Sequence, residues 1–165
     1  MKKGAAGSAG ASRVPDSPTA LAYAAGLIDG EGCIYGLCKM RGPKLHTIVR
    51  VSVLMCSKPT VEWLRDNFGG SFYALPHRLN RPDRFLWQIA CSHVTPVLRA
   101  ILPYMIEKKA QAEVALKLAE LLTAWGNPSG EYRRDESRTS AENVEARIHL
   151  CAELKRLKRP WKEVA

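Results

Sequence analysis

Two acidic residues separated by one glycine, Asp29 and Glu31, close the segment Ala24-Ala25-Gly26-Leu27-Ile28-Asp29-Gly30-Glu31-Gly32. Just upstream, small residues recur every four positions as Ala22, Gly26 and Gly30. On a helix that spacing lines one face, and a face without bulk lets another helix approach its backbone closely. Leu27 and Ile28 flank the small face and can anchor the helix in a core. Were two such helices to pack side by side, their C-terminal ends would bring two Glu31 carboxylates near a common axis. Paired carboxylates repel and are stabilised by a shared cation; Mg²⁺, a hard ion that prefers oxygen ligands, suits them. A bound metal of this kind can activate water and stabilise both the attacking and the leaving oxygen in phosphodiester hydrolysis. Spacing alone leaves an ordinary reading equally open, in which Asp29 and Glu31 merely end a helix in a turn.

The remaining reactive side chains form no second constellation. Cys33, Cys38, Cys56, Cys91 and Cys151 are odd in number and scattered, without a C-x-x-C pair, which argues against a zinc site or disulfide framework and for a reduced, intracellular, soluble protein. His46, His77, His93 and His149 lack metal-ligand spacing and read as surface or packing histidines. No run of 18 apolar residues exists to cross a membrane, and residues 1–16 lack the apolar region of a secretory signal.

Stepping outward, the elements that position the acids can be read from periodicity and turn residues. Residues 1–16 are rich in Gly, Ala and Ser and read as a flexible tail. Ser17-Pro18 offers an N-cap and a proline at the first helical position, so a helix is expected through Leu21 to about Asp29, ending in Gly30-Glu31-Gly32. Strands follow over 33–40 and 46–55, joined by Arg41-Gly42-Pro43-Lys44; then come a helix over 60–68, Gly69-Gly70, and strands over 71–75 and 84–91. Helices are expected over 94–105 and 108–125, the latter with Val114, Leu118, Leu121 and Leu122 on one stripe. After a polar loop at 126–138, Thr139 with Glu142 resembles a capping box for a last helix with Val144, Ile148, Cys151 and Leu154 on its apolar side, and a basic tail follows. The order α-β-β-α-β-β-α-α-α describes an α+β fold in which one four-stranded antiparallel sheet packs its inner face on helices and leaves its outer face to solvent or a partner. Residues 17–125 form the core, with 126–165 as an appended loop and helix.

At 165 residues with 46% hydrophobic content, the chain can bury a real core, and its net charge of +9 is unevenly placed. Residues 41–109 carry eleven basic against four acidic side chains, whereas the segments on either side are each nearly balanced. A localised positive region favours a polyanion such as nucleic acid, because each neutralised phosphate releases a counterion. A basic solvated face is the plainer alternative.

The nonamer AAGLIDGEG closely resembles the LAGLIDADG motif of the homing endonucleases, and the order of elements over residues 18–125 resembles that family's α-β-β-α-β-β-α core. One motif in a chain of this length is similar to the single-motif members, which act as homodimers on near-palindromic double-stranded DNA. The resemblance implies that the motif helix, through Ala22, Gly26, Leu27 and Gly30, forms the dimer interface. It implies that the outer sheet face meets the DNA major groove, and that Glu31, the final motif acid, binds Mg²⁺ (or another divalent cation such as Mn²⁺) beside Gly30. Aspartate is the commoner acid there, but glutamate keeps the carboxylate. The segment Leu102-Pro103-Tyr104-Met105-Ile106-Glu107-Lys108-Lys109 is similar to the one that supplies the family's active-site lysine, which makes Lys108 the second catalytic residue, able to offset charge on the scissile phosphate; a solvated lysine opening a helix is the ordinary alternative. Ser57 and Val61 depart from the polar and basic residues that the family often places at the start of its second helix, and Lys58 or Arg50 could substitute.

By the same resemblance, Tyr35, Leu37, Lys39 and Arg41 on one strand and Ile48, Arg50, Ser52 and Leu54 on the next face DNA, with Lys44, Ser57, Lys58, Arg78, Arg81, Arg84 and Lys109 adding contacts. Arg and Lys suit guanine edges or phosphates, Ser and Tyr either, and Leu the thymine methyl. For Trp87 and Gln88 the sequence leaves open which faces the core. The leading expectation is a homodimeric, metal-dependent, site-specific double-strand endonuclease that leaves short 3′ overhangs. A non-cutting nucleic-acid binder of the same fold, an intron maturase or transcriptional regulator, stands as the alternative, and a basic dimerising scaffold as a third.

Overall fold

The computed structural model describes residues 14–42, 44–76, 82–123 and 140–158. The chain runs α1 (Pro18–Glu31), β1 (Gly32–Arg41), β2 (Lys44–Met55), α2 (Lys58–Phe68), β3 (Ser71–Leu75), β4 (Arg84–Ala90), α3 (Val94–Ile101), α4 (Lys109–Thr123) and α5 (Ala141–Leu157), with short 3₁₀ turns at Cys91–His93 and Leu102–Tyr104. The α+β class and the element order expected from the sequence are the ones observed. One sheet in the order β1-β2-β4-β3, antiparallel throughout, carries helices on a single face.

The first helix starts as its sequence dictates: Ser17 is the N-cap, its Oγ accepts from the Ala20 N–H at 3.4 Å, and Pro18 occupies the first turn. It runs two residues further than expected, so that Glu31 is its last residue and Gly32 its C-cap. Only a glycine fits at that corner, since a Cβ on Gly32 would lie 2.5 Å from the Ile28 carbonyl oxygen and 2.7 Å from the Ile28 Cα. The helix buries Ala24, Ala25 and Ile28, which all lie on one face; burying Ile28 alone is worth about 1.5–3 kcal/mol. Edge-to-face aromatic contacts tie it onward, Tyr23 to Trp63 at 4.9 Å, Trp63 to Phe68 at 5.9 Å and Phe68 to Trp87 at 6.4 Å.

Three local expectations are corrected. The helix expected over 94–105 ends at Ile101; Pro103 has no N–H to continue the ladder, so the chain tightens into a 3₁₀ turn and leaves Met105 extended and buried. The last helix is capped by Ser140, whose Oγ accepts from the Asn143 N–H at 3.3 Å, while Thr139 lies outside the described residues. Its buried side is Asn143, Arg147, Cys151 and Leu154, with Val144 half-buried and Ile148 48% exposed. That rotation follows from β1, where Gly36 leaves a hollow that Leu154 fills; a Cβ there would meet Leu154 Cδ1 at 2.7 Å. Beside it Cys38 Sγ lies 2.9 Å from Cys151 Sγ and donates to the Arg147 carbonyl oxygen at 3.3 Å. Burial, and then the hydrogen bond with Cys38, push the Cys151 thiol far above its ordinary value. Residues 1–13 of the expected tail, the loop at 126–138 and the end of the basic tail lie outside the described residues.

Candidate catalytic and nucleic-acid interface

Opposite its buried side, α1 presents Ala22, Tyr23, Gly26 and Gly30 to solvent, with Leu27 half-buried between the two faces. A Cβ added at Gly26 or Gly30 would meet nothing within 4 Å. Each glycine inside a helix costs about 1 kcal/mol relative to alanine, and nothing among the described residues uses the space they leave open.

At the C-terminal end of that small-residue face two elements distant in sequence meet. Glu31 is exposed, at the corner where α1 turns into β1. The turn that precedes α4 docks beside it through Lys108, whose Nζ donates to the carbonyl oxygens of Ile28 at 3.0 Å, Asp29 at 2.5 Å and Gly30 at 3.5 Å. A helix ends with unpaired carbonyls and a negative dipole end; α1 has no basic residue in its own last turn, and Lys108 supplies the charge instead. In return the Asp29 carboxylate accepts main-chain N–H bonds from Ile106 at 2.7 Å and Glu107 at 3.3 Å through Oδ2, and from Lys108 at 3.0 Å through Oδ1. The two sequence-predicted catalytic residues are thus brought to one corner, and Asp29, read from the sequence only as a possible turn residue, is what joins them. Glu31 and the Gly30 carbonyl are oxygen donors of the kind that hard divalent cations take. Among the described residues no three His, Cys, Asp or Glu side chains converge to complete a site within one chain.

The outer face of the sheet runs away from this corner. Strand register puts Tyr35 opposite Arg50, Leu37 opposite Ile48, Lys39 opposite His46 and Ser52 opposite both Cys33 and Gln88. The open question on β4 is resolved by the same register: Trp87 pairs with Val53, is fully buried and donates Nε1–H to the Gly69 carbonyl oxygen at 2.8 Å, so Gln88 faces outward. Not one acidic residue occurs in the four strands, and Lys39, Arg41, Arg50 and Arg84 all fall on the outer parity, with register position 44 opposite Arg41. At the centre Arg50 is half-buried, and its buried Nε has no hydrogen-bond partner among the described residues. Burial raises the neighbouring Cys91 thiol above its ordinary value while the Arg50 guanidinium pulls it the other way. Lys158, just past α5, reaches the same face from the edge, 5.2 Å from the Tyr35 ring centre and 3.1 Å from Cys33 Sγ. His46, Gln88 and Lys158 were not singled out from the sequence as groove residues; strand parity could have found His46, whereas Gln88 needs the pairing of β4 with β2 and Lys158 arrives only through the packing of α5.

Other expected residues fall at the margins. Ser57 is the N-cap position of α2 with its Oγ 2.8 Å from Thr60 Oγ1, and Lys58 pairs with Glu62 at 3.7 Å. Both follow β2, whose Val53 pairs with Gly32, so they lie at the Glu31 end of the sheet. Val61 is fully buried in the core and offers nothing to a site. Lys109 is exposed at the start of α4, and Arg78 and Arg81 lie outside the described residues.

No family model matches the chain, and no curated protein matches it. Solved structures do. The homing endonuclease I-CvuI in complex with its target aligns with a TM-score of 0.62 at 19% identity, over 83% of this chain and 80% of that one. The archaeal intron-encoded homing endonuclease I-Vdi141I, complexed with DNA, aligns at 0.64 and 14% identity over 83% and 82%. The LAGLIDADG homing endonuclease I-SmaMI bound to cleaved DNA aligns at 0.61 and 19% identity, over 91% of this chain but 50% of that one.

Proposed function

We propose that this chain, whose fold is that of the LAGLIDADG homing endonucleases, is one subunit of a homodimeric, divalent-metal-dependent endonuclease that cuts both strands of a long, near-palindromic DNA site and leaves short 3′ overhangs. The observation that carries the reading is the Lys108 ammonium seated on the last carbonyls of α1, next in the chain to Glu31, at the end of a helix face where Ala22, Gly26 and Gly30 leave open space. Two copies of α1, apposed through Ala22, Gly26, Leu27 and Gly30, use the space that one chain leaves empty and bring two Glu31 carboxylates together. This chain spans about half the length of the I-SmaMI chain.

DNA lies along the acid-free sheet. Lys39, Arg41, Arg50, Arg84 and Lys158 hold phosphates or guanine edges, and Tyr35, Ser52 and Gln88 hydrogen-bond bases, with Leu37 and Ile48 placed against thymine methyls. Ser57, Lys58 and Lys109 supply further contacts toward the ends of the groove. Glu31 and the Gly30 carbonyl are the groups that would hold Mg²⁺ or Mn²⁺, which when bound supplies an activated water and charge neutralisation at the leaving oxygen. One chain gives only one such carboxylate, so the donor set is completed by the second subunit and the phosphate itself. The Lys108 ammonium, fixed on three carbonyls, offsets negative charge that gathers on the scissile phosphate.

The test is selection of cleaved sequences from a randomised DNA pool with Mg²⁺, followed by assay of Glu31→Gln on the selected site. Symmetric cleaved sites, and loss of cutting in Glu31→Gln or after metal removal, are expected, with DNA affinity that falls steeply as salt rises. Cleavage that persists in Glu31→Gln overturns the mechanism. One observation favours the non-cutting alternative, a maturase or regulator: the buried Val61 withdraws a position from which an auxiliary basic group could act. Tight metal-independent binding of one nucleic acid, with no cleavage from the pool, would establish it.

A further inference from the structure

We infer that Asp29 is the positioning residue for the candidate active site: its carboxylate clamps the turn 106–108 and so holds the Lys108 ammonium against the end of α1, one residue from Glu31. Asp29 stands where an acid is electrostatically disfavoured, in the last turn of a helix whose carbonyls already point negative charge the same way. Two sets of bonds account for it. Three consecutive main-chain N–H groups, from Ile106, Glu107 and Lys108, converge on its two oxygens at 2.7, 3.3 and 3.0 Å. The Lys108 ammonium lies on the Asp29 carbonyl and on the two flanking carbonyls, so each element end is closed by a charge carried by the other.

The arrangement is specific to a carboxylate. Both oxygens accept, so an asparagine would turn a donor toward one of the N–H groups, and an alanine would leave all three to water. Because the Ile106 and Glu107 bonds are solvent-exposed, water can replace them at little cost to the fold; what is lost is the place of the turn. Ile106, 87% exposed, and Glu107, also exposed, add no core packing that would hold the turn without Asp29, and only Met105 behind them is buried. Both Asp29 carboxylate oxygens are taken up by main-chain N–H groups. Asp29 acts through Lys108, and its consequence for rate rests on the nuclease reading.

Two measurements test this, one of which needs no cleavage. In the first, the full-length protein is reductively methylated with formaldehyde and cyanoborohydride and each lysine is read by peptide mass spectrometry, with exposed Lys109 as internal control. In the native protein Lys108 is expected to react several-fold more slowly than Lys109, and in Asp29→Asn and Asp29→Ala the two rates converge while the melting temperature stays near native. In the second, a double-mutant cycle is run in single-turnover cleavage of the selected DNA site. Asp29→Ala is expected to slow cleavage ~100-fold with DNA affinity in Ca²⁺ unchanged, because an ångström of misplacement costs about that much. In a Lys108→Ala background the same substitution should change the rate by less than about threefold. A merely structural role for Asp29 predicts additive losses and lowered DNA affinity, and that result overturns the inference, as does Lys108 labelling that ignores the substitution. If the native protein cuts nothing, the nuclease reading fails on its own account and the labelling result alone decides whether Asp29 holds Lys108.

Discussion

Replacing Gly32 by alanine adds one methyl group at the corner between Glu31 and β1, and its cost can be worked from the contacts. The backbone there, at φ −81° and ψ 160°, is open to any residue, so the penalty is steric alone. The new Cβ would sit 2.5 Å from the Ile28 carbonyl oxygen, 2.7 Å from the Ile28 Cα and 2.9 Å from the Ile28 Cγ2. A carbon and a carbonyl oxygen rest at about 3.3 Å, so something has to move by ~0.8 Å. The first two atoms are main chain of a fully buried residue and cannot swing aside, which leaves the helix end or the start of β1 to shift. Overpacking of this kind costs about 1–3 kcal/mol, or a melting temperature lower by roughly 2–12 °C for a chain of this size. Glu31 is the residue bonded to the corner, so cleavage should fall ~100-fold, far beyond what the small unfolded fraction explains. Calorimetric melting, DNA affinity in Ca²⁺ and single-turnover cleavage in Mg²⁺ separate the two effects. A Gly32→Ala protein that melts within 1 °C of native, by the roughly 2 °C lower bound above, and cuts at the native rate would refute the claim that this close corner sets the place of the acid.

Gly26→Leu, on the same helix, should leave the isolated subunit folded, because the site is open, yet prevent two α1 faces from touching. Light scattering after gel filtration is expected to report a monomer without cleavage activity, and an active dimer would contradict the interface. The buried thiol pair gives a pH dependence. Folding raises the Cys151 pKa, so the folded chain keeps a proton that the unfolded chain releases above about pH 9, and stability is full below that value and declines as pH rises past it. The decline is at most about 1.4 kcal/mol per pH unit, and chemical denaturation between pH 8 and 11 should show a shallower slope in Cys151→Ala than in the native chain.

Much of the site was legible because its parts are neighbours in sequence. Glu31 and the glycines at 26 and 30 lie within six positions, and helical spacing alone puts the small residues on one face. Lys108 was legible only through resemblance, since an isolated lysine before a helix has no signature of its own. Asp29 could not be assigned: its partners are main-chain N–H groups 77 to 79 positions away, and any residue but proline provides one. On α5 the apolar pattern favoured Ile148 over Arg147, and the hollow at Gly36 overruled it by setting the rotation through Leu154. Trp87 and Gln88 were undecidable until the pairing of Trp87 with Val53 set the parity of β4.

The acid and the ammonium come from stretches of chain nearly 80 positions apart, joined across the sheet that lies between them in sequence. A ribosome-bound or half-folded polypeptide therefore exposes a carboxylate with no lysine beside it and no floor against which to lay a duplex. On the nuclease reading proposed above, such fragments would lack the assembled site. Under that reading, cutting would become possible only after the two stretches have folded together.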